Sequence, residues 1–203
     1  MSLSPHNCPP GSLSAAEFAL PERRFLLALA HAAILSAVQH TELQNSPRAP
    51  QLEEPRGVFT TIYLQGGLRG CVGYVFPIKP LYQAVIDTAR ASCFEDARFL
   101  PVSPKEATHL QVSLSVLSHL QPVRPETVEA DIEVGRHGLL LAQQGRRGLL
   151  LPQVPVEQGW DRIRFLEQTC LKAGLPAEAW RKGATIETFT AEVFSDRDSD
   201  PGA

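Results

Sequence analysis

The feature that most constrains the fold is a strand–turn–strand pattern between residues 57 and 73. Its first arm, Gly57 to Leu64, is rich in β-branched and aromatic residues, which favour strands. Gln65-Gly66-Gly67 follows, and these residues tolerate the positive φ angles of a tight turn. The second arm, Leu68-Arg69-Gly70-Cys71-Val72-Gly73, contains two glycines that weaken a strand. The pattern therefore predicts a β-hairpin with a bulge, a ligand or another backbone close to its second arm.

Helices and further strands are predicted on both sides of this hairpin. Apolar residues at helical spacing predict helices from about Pro21 to His40, from Pro80 to Ser92 and from Asp161 to Gly174. Alternating apolar and polar residues predict a strand from Leu110 to Val116. Two apolar runs, His137 to Ala142 and Gly148 to Leu151, flank a polar stretch with a glycine and predict a second hairpin, and a last strand is predicted from Ile186 to Phe194.

Capping motifs and irregular segments complete the predicted secondary structure. Ser14–Glu17 and Ser103–Glu106 have the spacing of capping boxes. Pro122 to Glu133 is acidic and irregular, with room for a short helix, and Pro176 to Trp180 is a short helical piece. The whole pattern predicts an α+β fold, in which a mixed, largely antiparallel sheet packs against helices. We expect a single domain over residues 13–195, with disordered tails at 1–12 and 196–203.

Charge and cysteine usage narrow the class of protein. The net charge of −3 argues against sequence-independent nucleic-acid binding, which depends on Lys and Arg. Cys8, Cys71, Cys93 and Cys170 are widely spaced, so neither a zinc ribbon nor a dithiol redox motif is predicted. Free thiols fit a reducing, cytoplasmic location.

One stretch imitates a secretory signal, because Arg23-Arg24 precedes an apolar run from Phe25 to Val38. The run contains His31, is too short to span a bilayer and begins more than twenty residues into the chain. We therefore predict an amphipathic core helix and no membrane segment.

The hexapeptide at residues 68–73 resembles the signature of the AMMECR1 domain family, Leu-Arg-Gly-Cys-Ile-Gly, with Val72 in place of Ile. The similarity continues through residues 94–99, 134–139 and 150–155 and ends at 159–161. The resemblance implies the same α+β arrangement with a smaller lobe. Microbial relatives of this domain are often encoded with a Memo-like protein and a radical S-adenosylmethionine protein. The resemblance therefore implies a part in a modification pathway with those partners, as an enzyme or as a substrate carrier.

The first functional hypothesis is an enzyme with Cys71 as nucleophile. A neighbouring guanidinium, here Arg69, activates a thiol, and glycines let a substrate approach. His137 is the best candidate base, and Glu95 or Asp96 can orient it. The structural alternative is that Cys71 is a core residue, His137 closes a turn and Arg69 makes an ion pair. Strand alternation places Arg69 and Cys71 on the same face unless a bulge intervenes.

The second hypothesis is a binding or adaptor module without turnover. Arg69, Arg98 and Arg136, with the backbone at Gly70 and Gly73, would bind a small anionic ligand or a partner's carboxylate. Asp96, in the same loop as Arg98, is a further candidate ligand-binding residue, and its structural alternative is to pair with Arg98 or cap a helix. No further carboxylates accompany Glu95 and Asp96, so no metal site is predicted, and no cofactor is identified. Both hypotheses remain open on the sequence alone.

Overall fold

Two four-stranded antiparallel sheets form the framework of the protein, in a computed structural model that describes residues 17–43, 49–124 and 126–196. The strands are β1 (Val58–Leu64), β2 (Gly67–Tyr74), β3 (Leu110–Leu117), β4 (Gln121–Val123), β5 (Gly138–Gln143), β6 (Arg146–Leu150), β7 (Thr185–Phe189) and β8 (Ala191–Ser195). The helices are α1 (Leu20–Gln39), α2 (Leu81–Phe94), α3 (Pro104–Ala107), α4 (Val128–Asp131), α5 (Gln153–Glu157) and α6 (Arg162–Lys172), with 3₁₀ turns at Pro50–Leu52 and Ala177–Arg181.

The first sheet has the strand order β2-β1-β3-β8 and is covered on one face by α1 and α2. Alternation along β1 places Val58, Thr60 and Ile62 on this covered face, where all three are buried. Ile62 packs there in one cluster with apolar residues of both helices and of β3: Leu26, Ala30, Ile34, Val85, Leu114. Burial of this cluster from water fixes the sheet against the helices.

The second sheet has the order β4-β7-β5-β6 and forms a smaller lobe with α6. The side chains of Leu139, Leu141 and Ile186 pack on α6 through Phe165, Leu166 and Cys170. The two sheets are joined where β3 leads into β4 and where β7 leads into β8. We call these two connections, at Ser118 and at Thr190, the crossings. They lie side by side, because the Ser118 amide donates to the Thr190 carbonyl and the Thr190 amide donates to the Ser118 hydroxyl, both at 2.9 Å.

The α+β class is confirmed, as are the three long helices and both predicted hairpins. The capping box at Ser103 is present: its hydroxyl accepts from the Glu106 amide, and the Glu106 carboxylate accepts from the Ser103 amide. Asp161 caps α6 by accepting from the Arg164 amide at 2.7 Å. The predicted box at Ser14–Glu17 lies largely outside the described residues.

Three predictions need correction. The run from Ile186 to Phe194 is two strands in different sheets, separated at Thr190, so the predicted single sheet is divided into two. The segment predicted as irregular contains β4 besides the short helix α4, and α5 was not predicted. Asp196, assigned to a disordered tail, is held in place because its carboxylate accepts from the Val112 amide at 2.6 Å and lies 3.0 Å from His31 Nε2. The other tail residues lie outside the described ranges.

Candidate functional site

Cys71 lies in the edge strand β2, directly opposite Thr61 of β1. Thr61 alternates with the buried Thr60 and Ile62, so Thr61 and Cys71 lie on the face of the first sheet that α1 and α2 do not cover. The Thr61 hydroxyl donates to Cys71 Sγ at 3.3 Å, and the thiol is partly exposed. A hydroxyl donor stabilises the negative sulfur of a thiolate.

The backbone of Cys71 is fixed by Asp96, in the loop after α2. The Cys71 amide donates to the Asp96 carboxylate at 2.9 Å, so this amide points away from β1. Cys71 and Thr61 therefore form a non-hydrogen-bonded cross-strand pair, the type in which the two side chains lie closer together. Arg98 binds the same carboxylate through Nε at 2.9 Å and Nη2 at 2.7 Å.

The Asp96 carboxylate is 7% exposed and permanently ionised at physiological pH. Hydrogen bonds from Arg98, helped by the Cys71 amide, outweigh the opposite effect of burial and hold the pKa of Asp96 far below its usual range. The structure thus brings together Cys71, Asp96 and Arg98 from the predicted site. Asp96 therefore holds the backbone of β2 in place and does not act as an acid or base near pH 7.

Arg69 does not accompany Cys71, which corrects the expectation from simple alternation. The β1–β2 register shifts between Ile62 and Tyr63, and Arg69 is the extra residue of the resulting bulge. Its guanidinium donates to Glu106 at 2.9 Å and to the Pro101 carbonyl at 3.2 Å. Arg69 therefore links β2 to α3, and its guanidinium is already paired with the Glu106 carboxylate of the same chain.

The two glycines of the hexapeptide are required by packing within the chain. A Cβ at Gly70 would lie 2.1 Å from the Ser92 carbonyl oxygen of α2. A Cβ at Gly73 would lie 2.3 Å from the ring of Phe59, which covers this glycine from β1. Neither position offers room that a ligand needs, so we do not retain Gly70 and Gly73 as ligand-binding residues.

The remaining predicted residues lie apart from the thiol. His137 precedes β5 of the second sheet, where its Nδ1 accepts from the Glu133 amide at 3.1 Å. Burial, and then the charge of Arg136, lower the pKa of His137. Arg136 pairs with Glu133 at 3.0 Å. Within the described residues, neither a hydrogen bond nor an ion pair joins His137 to Cys71, and the exposed Glu95 side chain forms neither kind of contact.

The other two described thiols, Cys93 and Cys170, differ from Cys71 in being buried. Burial raises the pKa of Cys93 to about 11 and also raises that of Cys170, so both stay protonated at neutral pH. Among the described residues, no group of three or more His, Cys, Asp or Glu side chains is placed to hold a metal ion. No helix in the same ranges is both long and apolar enough to cross a bilayer.

Sequence reasoning missed Thr61, Glu106 and Phe59. Thr61 could have been found by counting the hairpin register back from Gly66, but the bulge at Arg69 changes that count by one residue. The contact of Glu106 with Arg69 depends on how α3 packs beside β2, and no local pattern indicates it.

Comparison with known proteins agrees with this architecture. The family model described as AMMECR1 matches residues 27–194. A protein of Methanopyrus kandleri is 41% identical over 187 residues, covering 88% of this chain and 90% of its own length. A protein of Thermococcus gammatolerans is 44% identical over 182 residues, covering 85% and 89%. The crystal structure of an uncharacterized protein from Pyrococcus horikoshii superposes with a TM-score of 0.74 at 41% identity, covering 84% of this chain and 89% of that one.

Proposed function

The chain belongs to the AMMECR1 family, and we propose that it acts in a modification pathway with Memo-like and radical S-adenosylmethionine proteins as a thiol-dependent enzyme or covalent carrier. The observation that carries the proposal is the hydrogen bond from the Thr61 hydroxyl to the partly exposed Cys71 Sγ, on the sheet face that α1 and α2 do not cover. We place this activity in the reducing cytoplasm, where the thiol remains free.

In the proposed step, the Cys71 thiolate attacks an electrophilic carbon of an activated substrate. A carbon–sulfur bond forms, the leaving group departs with its bonding electron pair, and the thiol proton has gone to solvent beforehand. The Thr61 hydroxyl stabilises the thiolate, and Asp96 holds the strand that carries it. His137 has no part in this step, because its contacts lie in the second lobe.

An adaptor that binds a partner protein is the alternative, and one observation favours it. Leu100 is 83% exposed, and it adjoins Pro101, whose carbonyl accepts from Arg69. Leu68, which precedes Arg69, and Phe94, at the end of α2, are also exposed. Apolar side chains grouped on a surface are typical of protein contact sites. An anionic ligand bound by Arg69, Arg98 and Arg136 is less favoured, since each of these arginines pairs with a carboxylate of this chain.

The rate of alkylation by iodoacetamide, followed for each cysteine by mass spectrometry, tests the proposal. We expect Cys71 to react at pH 7 roughly fivefold faster than free cysteine, because the thiolate is the reactive form and the Thr61 hydrogen bond that favours it contributes about 1 kcal/mol. Cys93 and Cys170 serve as internal controls and should react only on unfolding, since both are buried.

Protection of Cys71 until the protein unfolds would contradict the thiol proposal and favour the adaptor. A rate equal to that of free cysteine would likewise remove the claim of activation. Cys71→Ser, checked by circular dichroism for an unchanged fold, confirms the assignment of the labelled site.

A further inference from the structure

A cleft of about 460 Å³ lies between the two lobes. Its walls come from β1, the segment after β2, β5, β6, α5 and the end of α6. They are mainly apolar: Phe59, Val75, Phe76, Leu140, Leu149, Val154. Concave apolar surfaces of this size are typical of sites for small organic ligands.

The cleft is continuous with the sheet face that carries the thiol. Cys71, Gly73 and Val75 alternate onto the same side of the edge segment, and each step of two residues advances by about 7 Å. The Phe59 ring covers Gly73 and also lines the cleft, so the aromatic wall begins next to the Cys71–Thr61 pair. A ligand in the cleft would therefore point one end toward Sγ.

The part of the cleft beside Phe76, which lies beyond Gly73 from Cys71 along the chain, is cationic. Arg147 and Lys172 belong to its lining, and none of the lining residues is acidic. The Arg147 guanidinium stacks at 5.1 Å from the centre of the Phe76 ring. Within the described ranges, neither Arg147 nor Lys172 forms an ion pair, in contrast to Arg69, Arg98 and Arg136. An apolar surface beside two unpaired cations is complementary to an amphipathic anion.

We propose that this cleft binds the apolar, anionic part of the substrate that reacts at Cys71, with a carboxylate or phosphate near Arg147 and Lys172. The inference rests on the proposed thiol function and adds the chemical class of the substrate: an elongated apolar chain, acidic at one end and electrophilic at the other. The electrophilic end reaches Cys71 along the surface of Phe59.

Three alkylating probes with the same reactive group test the inference: iodoacetamide, N-decyl iodoacetamide and the N-linked decanoic acid derivative. In each case Cys71 sulfur forms a bond to the methylene carbon and iodide leaves with the electron pair. We expect the decanoate probe to label Cys71 at least about tenfold faster than iodoacetamide, equivalent to about 1.4 kcal/mol, with the uncharged decyl probe in between.

The double variant Arg147→Ala with Lys172→Ala should lose the advantage of the decanoate over the decyl probe. Arg24→Ala with Arg124→Ala is the matched control, because these exposed arginines lie outside the cleft lining, and it should retain that advantage. Equal rates for all three probes, or an undiminished carboxylate advantage in the Arg147/Lys172 variant, would overturn the cleft proposal while leaving fast iodoacetamide labelling intact.

A second measurement separates the cleft from the chemistry of the thiol. Decanoate is titrated into isotope-labelled Cys71→Ser protein, and the amide signals of Val75 and Leu149 are followed by NMR. Saturable shifts of both signals would support the cleft even if Cys71 were unreactive. Shifts that do not saturate, or that arise elsewhere, would overturn it whatever the reactivity of Cys71.

Discussion

At the scale of single residues, two neighbours hydrogen-bond to Cys71, one to its sulfur and the other to its backbone. Thr61 contacts the sulfur, whereas Asp96 contacts only the backbone amide. Because the pKa of Asp96 is held low by Arg98, this backbone anchor stays charged and unchanged throughout the physiological pH range. Thr61 is therefore the side chain through which the reactivity of the thiol can be altered without moving the strand.

Thr61→Val removes the hydroxyl and keeps the β-branched shape. We expect the iodoacetamide rate of Cys71 at pH 7 to fall roughly fivefold, because one hydrogen bond contributes about 1 kcal/mol net. Ser113→Ala is the control: Ser113 pairs with Thr61 from β3, on the same face, without a hydrogen bond to the sulfur. An unchanged rate in Thr61→Val, or an equal loss in Ser113→Ala, would exclude the Thr61 hydroxyl as the activating group.

At the scale of elements, local patterns predict most of the helices and the β1–β2 and β5–β6 hairpins, because periodicity, caps and turn residues act within a few positions. They do not predict the division of the last strand at Thr190, since Ile186 to Phe194 contains neither Gly nor Pro and its composition suits a strand throughout. β4 is missed because it is three residues long and contains Pro122, which only an edge strand tolerates.

The candidate site is predictable only in part for the same reason. The hexapeptide identifies Cys71 from the sequence, but its neighbours depend on packing. The bulge at Arg69 redirects that side chain to Glu106, and the loop after α2 brings Asp96 to the strand edge. Both are contacts between elements separated by more than twenty residues, and sequence periodicity carries no information about such distances.

The Arg69–Glu106 pair links β2 to α3 and gives a pH-dependent contribution to stability. Hydrogen bonds from Arg69, and then from the amide and hydroxyl of Ser103, lower the pKa of Glu106 to about 2. Because the unfolded value is about 4.3, the interaction stabilises the folded state above that pH. The stabilisation is lost as the pH falls from about 4 toward 2.

Glu106→Gln should therefore lower the free energy of unfolding at pH 7 by about 1 to 2 kcal/mol, a value reduced by the partial exposure of the pair. The difference from the wild type, measured by urea unfolding at several pH values, should shrink below about pH 4. Glu157→Gln alters an exposed carboxylate of α5 and is the control. A difference that is the same at pH 7 and pH 3 would show that the ionisation of Glu106 does not contribute to stability.

At the scale of the whole molecule, the two lobes have separate apolar clusters but share a surface. Leu140 and Phe189 alternate onto the face of the second sheet that points away from α6, and both are nevertheless buried. Leu140 faces the cleft opposite Phe59, and Phe189 directly precedes the crossing at Thr190. The lobes therefore meet at the cleft, where Arg147 of β6 also stacks on Phe76, and we expect residues 13–195 to behave as one domain.

This expectation predicts one cooperative unfolding transition, measurable by scanning calorimetry. Leu114→Ala in the first cluster and Leu166→Ala in the second should each cost about 2 to 5 kcal/mol, because both side chains are fully buried. If β7 and β8 transmit the loss of stability across the crossing at Thr190, either substitution lowers the temperature of the same single transition.

Leu171→Ala, at a half-exposed position of α6, is the control and should change stability by about 0.5 kcal/mol or less. Two separated transitions in either core variant would show that the lobes unfold independently, and the cleft would then lie between two domains that can move relative to each other.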